Sequence, residues 1–164
     1  DQSQAAVLDQ DFRPVSVGGN GTFSGAVAFV GYGISASGPG WSYDEYRNID
    51  VRGKVVIMLR KEPQQADKKS PFDGQQTSSH SLFSTKIATA RRRGAIGILF
   101  VNDSTSIDQG QGRYQDILPS TDTGGRSDAR NRLPTMFVTR DFVEKLVRVE
   151  KPDWSLASVE AAID

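Results

Sequence analysis

The chain has 164 residues, with 20 Lys and Arg against 20 Asp and Glu, so net charge gives it no general attraction to nucleic acid or anionic lipid. It has no cysteine, which excludes an internal disulfide, and its longest apolar run falls far short of the roughly 18 residues that read as a membrane-spanning helix. A chain of this length fits one domain and can bury roughly 68–70% of the surface its unfolded form exposes.

Residues 1–20 are polar, end in glycines and read as a leading segment with a short strand near Val15 to Val17. No basic and apolar leader precedes Asp1, and the sequence stops in EAAID, so it reads as a piece of a longer protein. TFSGAVAFVGYGI follows, apolar or small on both parities, and predicts a strand or strand pair with little exposure. In the turn-rich stretch after it, Tyr43, Tyr46 and Ile49 are spaced like one short helical turn.

GKVVIMLR (53–60) is the clearest strand. Val55, Ile57 and Leu59 point one way and Val56 and Met58 the other, which predicts a central strand covered on both faces. A long polar, breaker-rich loop (61–80) leads to the helix SLFSTKIATARRRG. Its stripe is Phe83, Ile87, Ala90 and Gly94. Ser79 or Ser81 is its expected cap, Arg91 to Arg93 complement its carbonyl end, and Gly94 suits a left-handed residue just beyond.

AIGILFV (95–101) predicts a second covered strand, and the order strand, helix, strand sets it parallel to the first. A polar stretch (102–132) precedes a third strand, LPTMFVT. RDFVEKLVR predicts a helix with Asp141 and Glu144 at capping-box spacing and Phe142, Leu146 and Val149 on one face. After the break at KPDW, Leu156, Val159 and Ile163 mark a final helix.

The chemical inventory is thin. One histidine and no cysteine leave no two-histidine zinc site within the chain. No G-x-S-x-G elbow accompanies His80, which lies just before the first helix, and GGNGTFSG carries Ser24 where a dinucleotide-binding loop needs its third glycine. Asn102 and Asp103, at the tip of the second strand, either close it by bonding the next turn or face a ligand beyond its carboxyl end.

In this order, NIDVRGKVVIMLR, LFSTKIATARRRGAIGILFVND and LPTMFVT resemble the protease-associated (PA) domain. The resemblance rests on Gly53-Lys54 feeding a strand, a helix with Lys86, Ala90 and Gly94, a strand ending in Asn-Asp, and Leu-Pro before the last strand. The SPFDG loop and the closing SLASVEAAID are similar to the version inserted in secreted bacterial zinc aminopeptidases. The resemblance implies an α/β fold: a β-rich PA-like module with a central sheet or open barrel flanked by two to three helices. It also implies a single domain over 1–164, with 152–164 as a linker helix towards a domain outside this chain.

The implied function is a non-catalytic protein- or peptide-interaction or substrate-access module of a secreted or periplasmic peptidase. No metal, cofactor or catalytic residue is implied in this chain. Its partners would be a peptide or protein substrate or the parent's catalytic domain, with no nucleic acid and no membrane. The expected contacts are Phe72, His80, Asn102, Asp103, Arg113 and Tyr114, aromatic and arginine side chains being the commonest binding anchors. Two other readings stay open: a hydrolase built on His80, and a small-ligand or glycan-binding domain using Trp41, Tyr43 and Tyr46 as a stacking surface.

Overall fold

The computed structural model describes residues 5–19, 21–108, 116 and 133–163. Two strands form the middle of a five-stranded sheet, β5 (Val55–Leu59) and β6 (Gly97–Val101), with every residue buried. Their unbroken apolar sequences suit a strand covered on both faces. They run parallel, in register from Val55 opposite Gly97 to Leu59 opposite Val101. The crossover between them contains α1 (Phe83–Arg92). Gly94, at φ +88°, takes the left-handed turn that ends it.

β7 (Thr135–Val138) adds parallel to β6, and β2 (Val27–Phe29) parallel to β5. β1 (Phe12–Pro14) closes the far edge antiparallel to β7, giving the order β1-β7-β6-β5-β2. A separate hairpin pairs β3 (Ser35–Gly38) with β4 (Trp41–Asp44). A 3-10 turn (Ser79–Ser81) precedes α1, and α2 (Ser104–Asp108), α3 (Arg140–Arg148) and α4 (Leu156–Ala161) complete the elements.

Two apolar clusters lie on opposite faces of the sheet. Val56, Met58, Ile98, Phe100 and Phe137 pack with Phe83, Ile87 and Ala90 of α1. Val55, Ile57, Leu59, Leu99 and Val138 pack with Val143 of α3 and Leu156 of α4. The layering is therefore helix, sheet, helix, a mixed α/β fold of the expected class. Among the described residues no helix is long and apolar enough to cross a membrane.

Several boundaries differ from the sequence reading. The leading strand lies at 12–14, because Val15 turns inward, bonding Thr135 O and accepting from Gly18 N. The tyrosine-spaced segment is the β3–β4 hairpin around Gly38-Pro39-Gly40, with Tyr43 in a strand rather than a helical turn. Ser79 and Ser81 do not cap α1: its N-cap is Leu82, without a side-chain bond, and Ser78 caps the 3-10 turn instead.

On α3 the cap is Thr139, whose hydroxyl accepts from Phe142 N, while Glu144 accepts from Leu156 N and pairs with Arg148. Its buried face is also rotated from the expected one. Val143 is 0% exposed, whereas Val149 is 60% exposed. The segment 152–164, expected as a linker helix, contains the helix α4, which packs on the sheet through Leu156.

The rotated face sets a direct comparison. Val143→Ala removes fully buried carbon and is expected to lower the unfolding free energy by about 2 kcal/mol. Val149→Ala is expected to change it by less than about 0.5 kcal/mol. Urea unfolding of both variants measures the difference; equal effects would contradict this orientation of α3.

Candidate functional site

Open parallel sheets offer ligands the space beyond the carboxyl ends of their strands. Here that edge is filled by the chain's own charged side chains. Arg60 follows β5, Asn102 and Asp103 follow β6, and Arg140 opens α3 just after β7. Arg60 Nη1 donates to Asn102 Oδ1 at 2.9 Å, and Asn102 Nδ2 donates to Asp116 Oδ1 at 2.9 Å. Arg140 Nη1 donates to Asn102 O at 2.8 Å. The Arg140 guanidinium also grips Glu160 of α4 at 2.9 and 2.8 Å, a two-point fit that suits Arg and carboxylate geometry.

Glu160 accepts in addition from Ser104 N at 3.0 Å and Ser104 Oγ at 2.5 Å. Burial pushes the Arg140 pKa down, but the Glu160 hydrogen bond and charge more than offset this and leave it raised. Burial lowers that of Arg60, opposed by the charge of Asp103. The Arg60 guanidinium lies over the rings of Phe83 and Phe137, at 5.7 and 5.6 Å from their centroids.

Beside this group lies Lys86, 1% exposed on the inner face of α1. Its Nζ donates to Leu59 O at 3.0 Å and to Lys61 O, fixing the chain where it leaves β5. Burial pushes its pKa down to about 7, resisted by the charges of Glu45, Asp103 and Glu62. Glu45 accepts from Tyr32 N at 2.8 Å and Ile34 N at 2.9 Å, and burial raises its pKa. Gly31, at φ +56°, permits this grip: a Cβ there would lie 2.0 Å from Glu45 Oε1. Glu62 accepts from the N–H and hydroxyl of Ser78, joining the two ends of the long loop.

The expected contact residues divide. Asn102 and Asp103 come together in this network and are buried; Asp103 accepts from Ser106 N at 3.0 Å and from Gln65 Nε2. Asp103 thus bonds the turn that follows the strand. Phe72, expected as a contact residue, is 1% exposed. Trp41, Tyr43 and His80 meet its ring edge-on at centroid distances of 5.6, 5.2 and 6.0 Å. Its loop turns inward because Ser70, Phe72 and Ser78 are all buried.

His80 is half-buried against Phe72, and its imidazole makes no hydrogen bond to a hydroxyl among the described residues. Trp41 and Tyr43 are engaged by Phe72, and Tyr46 is buried beneath Arg93, so the three do not form one exposed stacking face. Arg113 and Tyr114 lie outside the described residues. Sequence reasoning overlooked Glu45, Glu62, Arg140 and Glu160, and met Lys86 only within a family pattern. A signal was available for two of them: Lys86 falls three residues after Phe83 and four before Ala90, and Glu160 four after Leu156, so both charges lie on apolar stripes.

A family model described as the PA domain matches residues 19–146. Among solved structures, an aminopeptidase from Aneurinibacillus sp. strain AM-1 aligns with a TM-score of 0.49 at 14% identity, covering 88% of this chain and 26% of that one. The chain thus spans about a quarter of that protein's length. None of the curated proteins matches it.

Two measurements probe the network. Between pH 7 and the ordinary lysine value of 10.5, the unfolded chain holds a proton on Lys86 that the folded chain releases. Stability from this group therefore rises with pH across that window, by up to about 1.4 kcal/mol per unit, and is lost as pH falls through 7. The unfolding free energy of wild type minus that of Lys86→Met should grow from pH 7 to 10 and stay flat below 6. A pH-independent difference would mean that the ammonium stays charged inside. Separately, Glu160→Ala strands the Arg140 guanidinium and should cost about 3–5 kcal/mol in urea unfolding; a loss below about 1 kcal/mol would show the pair to be dispensable.

Proposed function

This chain belongs to the PA domain family, and from that premise we propose that it is a non-catalytic module that binds peptide or protein, or controls substrate access, beside the catalytic domain of a peptidase. PA domains are generally accessory rather than catalytic. The observation that carries the reading is how the ionisable groups at the carboxyl edge of the sheet are used. Arg140 and Glu160 pair with each other, Lys86 donates to the main chain, Arg60 donates to the Asn102 amide, and Asp103 accepts from the Gln65 amide. Their role is to fix loops, so a partner would meet the surface they support rather than the charges themselves.

That surface includes the exposed run Ala66 to Lys69 and the polar Gln75 to Thr77, on a loop closed by Glu62 and Ser78. Loops on a rigid scaffold are the usual place for recognition. The partner would be a peptide or protein substrate, or the parent's own catalytic domain, in a secreted or periplasmic bacterial peptidase of the zinc aminopeptidase kind. Residues 1–164 would act as one domain within it.

Comparing the parent peptidase with and without this module tests the reading. Without it, kcat/KM should lose its dependence on peptide length, while turnover of a single-residue chromogenic amide changes less than about twofold. The isolated chain should hydrolyse neither substrate. Unchanged length dependence, or hydrolysis by the isolated chain that disappears in His80→Ala, would overturn the proposal.

A further inference from the structure

The two edges of the sheet are built differently. β1 carries Arg13, paired with Asp9, and Pro14, which has no N–H to offer; charge and proline are usual protections of an edge strand. β2 has neither. Its sequence around the strand is Gly25-Ala26-Val27-Ala28-Phe29, and Val27 is 41% exposed.

Ala26 O accepts from Val55 N at 2.9 Å, and Val30 N donates to Ile57 O at 3.0 Å. Alternation along the strand therefore turns the main-chain N–H and C=O of Val27 and Phe29 away from β5, towards the free edge. Alongside runs a groove of about 380 Å³ between β2 and the end of α3, lined by Val27, Phe29, Leu146, Val149 and Trp154 together with the charged pair Glu150 and Lys151. Trp154 stands edge-on to Phe29 at 5.8 Å.

We propose that the free edge of β2 takes up an extended peptide as an added strand, with one of its apolar side chains seated in this groove. The proposal rests on the interaction-module reading above and supplies it with a place and a mode. A strand edge with no ladder partner among the described residues is matched by extended polypeptide, whose main chain bonds regardless of sequence while alternate side chains select. The groove is at the small end of the roughly 300–1,000 Å³ range of ligand pockets.

A second copy of the chain fits less well. Three residues of edge span only about 10 Å, and pairing them across two copies buries far less than the roughly 1,200 Å² of a stable interface. An unstructured peptide can add both the ladder and a side-chain anchor in the same small space.

The probe is fluorescein-labelled Lys-Thr-Val-Thr-Leu-Thr-Lys with blocked ends, titrated by anisotropy against the whole chain. Wild type should bind it saturably, and hydrogen exchange at the Val27 and Phe29 amides should slow. Val27→Pro removes an outward donor without touching the β5 ladder, and Val149→Asp places a charge on the groove wall; each should weaken binding at least about tenfold. N-methylating one parity of the peptide's amides should abolish binding, and the other parity should not. If thermal melting shows that Val27→Pro does not fold, Val149→Asp and the methylated peptides carry the test.

Equal binding by wild type and variants, with exchange at Val27 and Phe29 unchanged, would overturn this site but leave the module reading intact. Absence of binding by wild type would overturn the added strand, while the peptide-length kinetics would still judge the module separately. Self-association that Val27→Pro abolishes would give the edge to a second copy and overturn the peptide.

Discussion

One buried lysine amine fixes the geometry of the carboxyl edge of the sheet. Lys86 reaches from α1 through the apolar layer and bonds the carbonyls of Leu59 and Lys61, the last residue of a central strand and the second beyond it. A buried amine left without acceptors would be costly, so helix and strand end must keep their relative positions. Glu45 and Glu62 stand near enough to feel its charge, and each holds a different piece of chain. The turn at Gly31, the start of the long loop and the turn before α1 are thereby referred to one atom.

The sheet consequently has two kinds of border. At the carboxyl ends of its strands, charged groups bond neighbouring side chains and main chain, with Arg140 and Glu160 tying the last helix to the tip of β6, although Arg60 Nε and Ser106 Oγ are buried there without a hydrogen-bond partner among the described residues. Along the side, β2 retains main-chain groups turned outward beside a wall of apolar side chains. On the interaction-module reading proposed above, recognition would fall to surface shape and to the outward edge of β2.

The sheet core was legible because its signals are local. VVIML and GILFV are continuous apolar runs, and the stripe from Phe83 to Ala90 has helical spacing, so strand, helix, strand and their parallel order follow from neighbours in sequence. The β3–β4 hairpin was not legible, since SASG and WSYD are short and the tyrosine spacing imitates a helix. The charged network was hidden for another reason. Arg60 and Asn102 are 42 residues apart, and Ser104 and Glu160 56 apart, so only the fold introduces them. Phe72 lies in a polar loop yet is buried, its ring edge-on to Trp41 and Tyr43, contacts that span some thirty residues of sequence and that only the fold makes.

The pairing of β1 with β7 also has a consequence for biosynthesis. Phe12 finds its partner in Val138, about 126 residues later in the chain. At a ribosomal speed of roughly 5–20 residues per second, the nascent leading segment waits on the order of 6–25 seconds for it. During that interval β5, α1 and β6 can already assemble, leaving the outer flank of β6 bare until β7 emerges. A chaperone attending this newborn polypeptide would have most to protect at that flank.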